Sequence, residues 1–189
     1  SPEANLPETI QLTQARLYSP DTNISIQTKL PATVYDALET AGIIPNPYVG
    51  TNQEKVQWVS TKRWVYEIEF DVSEEVYSKE QIFLIGKQLD TYCNVILNGE
   101  DLENNSSSFY PFEYKLYKKK TPIKKGKNKL EFQFYILESA EESSASMYPL
   151  PLPDGSRMHT RKAQFQYGWD WGMVMKDVGI ADELKILAY

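Results

Sequence analysis

Apolar residues recur at every second position through much of this chain. In Arg63–Val72, Trp64, Tyr66, Ile68, Phe70 and Val72 fall on one side, and Val65, Glu67, Glu69 and Asp71 on the other. Side chains of an extended backbone point alternately to opposite faces, so this stretch predicts a strand with one face buried and one wet. Leu130, Phe132, Phe134 and Ile136 repeat the pattern, as do Ile24, Ile26 and Leu30, and Leu184, Ile186 and Ala188. Gln81–Gly86 and Tyr92–Leu97 are short apolar runs suited to burial on both faces. Asn98-Gly99 follows the second run at once. Both residues tolerate positive φ, which predicts a tight hairpin and a return strand near Glu100–Leu102.

Helical spacing is found in one place. Thr33 offers a capping hydroxyl, Val34, Ala37, Leu38 and Ala41 follow at intervals of three and four, and Gly42 provides a stop. Strands separated by turn signals, without βαβ alternation, predict an all-β fold: an antiparallel β-sandwich, a jelly roll, with one short helix. The 189 residues are read as a single domain, 1–189. A chain of that size buries roughly 70% of its unfolded surface and needs no metal or disulfide to fold. Residues 1–9 and the small, acidic stretch 138–147 are expected to be mobile, and Tyr148–Pro153 (YPLPLP) to be extended.

Charge and rare residues narrow the chemistry. The formal net charge of −6 argues against a nucleic-acid partner. A single cysteine, Cys93, excludes an internal disulfide and a cysteine-rich zinc site; a single histidine, His159, excludes a His-paired metal site. No metal and no cofactor are therefore expected. No window of 18 apolar residues exists, so no membrane helix is expected, and Ser1-Pro2-Glu3-Ala4-Asn5 lacks the basic head and apolar run of a signal peptide. Cys93 reads as a small buried hydrophobe within a strand. Lys118–Lys129 carries seven lysines around Pro122 and Gly126. It reads as a solvated loop between strands, with an anion site as the sharper alternative.

The most unusual stretch is Gly168-Trp169-Asp170-Trp171-Gly172. A pyranose presents a C–H face that lies against an aromatic plane, and a rim of hydroxyls that a carboxylate can accept from in pairs. Trp169 and Asp170 supply both parts at adjacent positions, and the flanking glycines permit a turn that aims both toward one rim. Composition alone leaves a second reading open: tryptophans in the core, with Asp170 bonded to nearby backbone or to Arg161.

Several motifs run in register. Leu30-Pro31-Ala32-Thr33-Val34-Tyr35, Ile44-Pro45-Asn46-Pro47-Tyr48, Gly50-Thr51-Asn52, Leu89-Asp90-Thr91, Asn94-Val95, Leu97-Asn98-Gly99, Arg161-Lys162-Ala163, the Trp-Asp-Trp-Gly stretch and Gly179-Ile180 follow one another. Together they resemble the β-mannosidase branch of glycoside hydrolase family 2, from about Gln27 onward. The chain departs from that pattern at Ala32 (Gly in the family), Gln53, Arg63 and Met173 (often Pro). The resemblance implies a galactose-binding-like jelly roll at the N-terminus of a longer retaining glycosidase. An immunoglobulin-like domain and a TIM barrel would follow it, as partners within the same chain. The two catalytic glutamates would lie in that barrel, so no catalytic residue is assigned here and the fragment alone is not expected to hydrolyse a substrate. It further implies that Asp170 accepts hydroxyl hydrogen bonds from a mannose unit of an oligosaccharide and that Trp169 walls the pocket. Trp171 would fix the loop and Arg161 would hold it through a carboxylate. Export to the periplasm or secretion is implied by resemblance only. A stand-alone carbohydrate-binding module, or a purely structural sandwich of another family 2 glycosidase, is the alternative.

Overall fold

The structure, a computed structural model, describes residues 6–86, 89–90, 92–102, 112–116, 118, 123–135 and 177–189. In chain order the strands are β1 (Glu8–Gln11), β2 (Gln14–Tyr18), β3 (Ser25–Lys29), β4 (Ala32–Thr33), β5 (Trp64–Val72), β6 (Ile82–Gly86) and β7 (Leu89–Asp90). After them come β8 (Tyr92–Leu97), β9 (Glu100–Asp101), β10 (Phe112–Leu116), β11 (Gly126–Tyr135), β12 (Gly179–Ile180) and β13 (Leu184–Ala188). They form a six-stranded sheet in the order β3-β2-β5-β11-β8-β9, a four-stranded sheet β1-β13-β6-β10 and a three-stranded sheet β4-β12-β7. Every pairing among the described residues is antiparallel. One core joins Leu17, Trp64, Tyr66, Phe132 and Phe134 of the larger sheet to Ile82, Leu84, Leu184 and Ile186 of the four-stranded one. The result is the all-β antiparallel sandwich that the alternation predicts.

β5 and β11 form its longest ladder, from Gly126 opposite Val72 to Phe134 opposite Trp64. Trp64, Tyr66, Ile68, Phe70 and Val72 are all buried, as are Leu130, Phe132 and Phe134; Ile136 lies outside the described residues. The Trp64 indole N–H donates to the Val59 carbonyl at 2.9 Å, giving a buried polar atom its partner. The run Cys93–Leu97 is buried on both faces, as expected, and the Cys93 thiol is pushed upward in pKa by burial. Ile82–Gly86 instead alternates buried with half-buried positions, because Phe83 and Ile85 point away from the core. Asn98 (φ 49) and Gly99 (φ 89) make the predicted hairpin, and Glu100–Asp101 returns against Ile96 and Leu97.

In the lysine-rich stretch, residues 124–128 close around a buried amide. Asn128 Oδ1 accepts from Asn98 Nδ2 and from the Lys124 N–H, while its Nδ2 donates to the Lys124 and Gly126 carbonyls. Lys124, Lys125, Lys127 and Lys129 are exposed, as the solvated reading expects, but Gly126–Lys129 is not loop: it begins β11 and pairs with Glu69–Val72. The predicted helix is α1 (Val34–Thr40), capped by the Thr33 hydroxyl accepting from the Asp36 N–H. Gly42, at φ +78, and Ile43 then close the last turn onto the Glu39 and Leu38 carbonyls. Three further pieces were not predicted: α2 (Asn52–Val56), a 3-10 segment (Gln57–Thr61) and α3 (Glu74–Tyr77). Each is about one turn, too short to display a 3.6-residue period. Within the tail expected to be mobile, Glu8 and Thr9 belong to β1 and pair with Ala188 and Leu187. Residues 138–147 lie outside the described residues.

Candidate functional site

Three stretches far apart in sequence meet in the smallest sheet. Gly179 pairs with Thr33 on one side and Asp90 on the other, and Ile180 with Ala32 and Leu89. Each partner belongs to a motif singled out above: Leu30–Tyr35, Leu89-Asp90-Thr91 and Gly179-Ile180. Strands of two residues bury little and need other support. The Tyr66 hydroxyl donates to the Ala32 carbonyl, and the Val34 N–H donates to the Val178 carbonyl at 2.9 Å. Gly179 is required by space as well as by its φ of +132. A Cβ there would lie 3.0 Å from Thr33 Cα and closer still to the Tyr66 hydroxyl oxygen.

Asp177 fastens this sheet to α1. Its Oδ1 accepts from the Val178 N–H at 2.9 Å and from the Tyr35 N–H at 3.2 Å. Burial pushes its carboxyl up to about 6; the Thr33 hydroxyl and the two amides oppose that, and the Asp36 charge adds to it. Tyr35 is itself buried, and its phenol is pushed up to about 12, first by burial and then by the nearby Asp177 charge. Tyr48 lies close enough to add to that effect, and the Ser60 hydroxyl works against it without reaching hydrogen-bond geometry. Thr33, Tyr35, Tyr48, Ser60 and Asp177 therefore gather around the start of α1.

Arg161, Trp169, Asp170 and Trp171 lie outside the described residues, as does His159. The described chain resumes at Asp177, seven residues after Asp170. Sequence reasoning missed Asp177 as an anchor. Its signal was a carboxylate directly before the Val178-Gly179-Ile180 stretch, which period-two reasoning gives no reason to bury. The sequence marks Tyr35 only as part of a motif, although it contributes its backbone N–H to that carboxylate.

Comparison with known proteins gives a consistent neighbourhood. Residues 11–182 match the family model described as glycosyl hydrolase 2 galactose-binding domain-like. A protein of Emericella nidulans named β-mannosidase B is 29% identical over 176 residues, covering 90% of this chain and 20% of that protein. The β-mannosidase of Mus musculus is 24% identical over 178 residues, covering 88% of this chain and 20% of that protein. This chain thus spans about a fifth of the length of the curated relatives it matches. Among solved structures, a β-D-mannosidase from Dictyoglomus thermophilum superimposes with a TM-score of 0.77 at 29% identity, covering 96% of this chain and 23% of that one. A β-glucuronidase from an uncultured Clostridium shares the fold at a TM-score of 0.61 and 12% identity, covering 97% of this chain and 29% of its own.

Proposed function

This chain belongs to the glycosyl hydrolase 2 galactose-binding domain-like family, and on that premise we propose that it is the sugar-pocket domain of a retaining β-mannosidase-type enzyme. The observation that supports this most is the small sheet. Three motif segments shared with the β-mannosidase pattern pair there side by side, and the last of them begins just after the Trp-Asp stretch. Asp177 lies seven positions after Asp170, a reach of at most about 25 Å.

The roles follow from sugar chemistry. Trp169 offers an apolar plane to the C–H face of a mannose unit, and Asp170 accepts hydrogen bonds from neighbouring hydroxyls. Trp171 holds the turn, and Arg161 pairs with a carboxylate to steady it. The acid/base and nucleophilic carboxylates of a retaining mechanism would come from a barrel elsewhere in the parent polypeptide. The domain then contributes one wall of a pocket whose reacting groups it does not carry.

Asp170→Ala in the full-length enzyme tests this. One hydrogen bond to a charged acceptor is worth about 1.5–3 kcal/mol, so kcat/KM on a β-mannoside should fall at least roughly tenfold to a hundredfold while the melting temperature holds. Unchanged turnover would refute the role. Calorimetry of the 189-residue chain against mannose-containing oligosaccharides should show little heat; tight binding by this chain alone would favour a stand-alone module.

A further inference from the structure

Among the described residues, five large apolar side chains stand well exposed: Leu6, Ile43, Tyr48, Val49 and Tyr189. Three of them fall within one short loop, Ile43–Val49. Single exposed hydrophobics need no explanation, but a group of them on an ordered segment does. This segment is tied by hydrogen bonds of its own. It leaves α1 through the Gly42 turn, with the Ile43 N–H on the Leu38 carbonyl at 2.9 Å. Ile44 and Pro47 are buried and pin it from below. Asn46 Oδ1 accepts from the Tyr48 N–H at 2.8 Å, and the Asn46 carbonyl accepts from Asn52 Nδ2 at 3.0 Å. Gly50, at φ +57, completes the turn. The side chains carried by this frame are nonetheless in water, Tyr48 at 71% and Val49 at 56% exposure. A hydrogen-bonded turn that presents a tyrosine beside an aliphatic side chain has the form of a binding anchor.

We infer that the loop Ile43–Thr51 is a docking surface for another domain of the same parent polypeptide, with Tyr48 and Val49 seated in an apolar depression of that domain. The inference rests on the reading of the preceding subsection. Its occupant is argued from two facts. The curated relatives are about five times the length of this chain, so they hold ample polypeptide to cover the patch. The loop also adjoins Tyr35, whose N–H is held by Asp177, and so borders the segment that follows the Trp-Asp stretch. A pocket wall completed by a second domain requires contact near that border. A sugar suits the patch poorly, because Ile43 and Val49 offer nothing to hydroxyl groups.

Oxidative footprinting of Tyr48, with amide exchange over residues 43–51, should be compared between the 189-residue chain and the full-length polypeptide that carries it. Tyr48 labelling should slow at least about fivefold in the longer protein, as burial at an interface core requires. Equal labelling in the two overturns the inference, as does a gene that encodes this chain alone. Protection that arises in the 189-residue chain through self-association overturns it too, since the occupant is then a second copy. The pair Tyr48→Ser with Val49→Ser should leave the melting temperature of the short chain unchanged to within about 2 °C and lower that of the longer protein by about 4 °C or more. Equal losses in both would mark a purely local role. If Tyr48 is protected but Asp170→Ala keeps full activity, the sugar-pocket reading fails and the docking surface stands. If Asp170→Ala cripples turnover while Tyr48 labels freely, the docking surface alone fails.

Discussion

The six-stranded sheet and the small sheet of β4, β12 and β7 are held together in different ways. In the first, β5 and β11 run nine and ten residues and turn an almost unbroken apolar face to the core. Its stability is spread over many large side chains, and hydrophobic residues of similar volume can substitute for one another there. In the second, each strand has two residues, and the assembly depends on particular atoms: the Tyr66 hydroxyl, the hydrogen of Gly179 where others carry a side chain, and Asp177 Oδ1. The contrast separates what makes the fold from what makes the motifs. Apolar area can be supplied by many sequences, whereas a bare Cα and a buried carboxylate cannot.

Three experiments would break or sharpen that contrast. Phe134→Ala removes a ring that is 1% exposed and meets Tyr66 edge-on with ring centroids 5.5 Å apart. It should cost about 3–5 kcal/mol in a denaturant melt and lower amide protection throughout the sandwich. A loss confined to the small sheet would reverse the contrast. Gly179→Ala should cost roughly 2–3 kcal/mol through overpacking, with exchange rising first in β4, β7 and β12. Adding Tyr66→Phe removes the oxygen that the new methyl would strike, so the pair should couple by at least about 0.5 kcal/mol. Strictly additive losses would show that this contact is not what demands glycine.

The smallest effect concerns pH. The carboxyl of Asp177 lies near 6 in the folded chain, above its ordinary 3.8, because burial disfavours the charged form. A group raised on folding contributes its full stability below the unfolded value and loses it as pH rises through the folded one. Stability from this group is thus whole below about pH 4 and gone above about pH 6. Asp177→Asn keeps an oxygen for the Tyr35 and Val178 amides and carries no charge. Relative to the native chain, it should gain about 1–2 kcal/mol between pH 4 and pH 7. Thermal melts of both proteins across that range would check it; a constant difference would remove the buried charge from the account.

The sequence made the sandwich legible because one face of each long strand must be apolar, and Trp64–Val72 and Leu130–Phe134 could be read directly. Val65 shows where the reading stopped. Alternation places it on the wet face with Glu67 and Glu69, yet it is 5% exposed, and Ile96 on the same outward side is 3% exposed. Alternation tells which residues share a face and is silent on whether that face is later covered. β4, β7 and β12 are too short to show any period, and they emerged only as motifs. The Asn98-Gly99 turn and the Thr33 cap were readable because each is a local contract between one side chain and its own backbone. Asp177 depends on Tyr35, 142 positions away, and no local pattern carries that. The Trp-Asp stretch was legible as chemistry, a plane beside an anion, and its residues lie outside those described here.

The pairing of β1 with β13 sets an order of events at the ribosome. Glu8–Gln11 finds its hydrogen-bonding partner in Lys185–Ala188, so β1 stays unpaired until β13 has been made. β4 waits in the same way for Gly179 and Ile180. β7 and one side of β6 likewise wait for β12 and β13, and unpaired edges invite association with other chains. Those edges close only when Gly179–Ile180 and Leu184–Ala188 have been made.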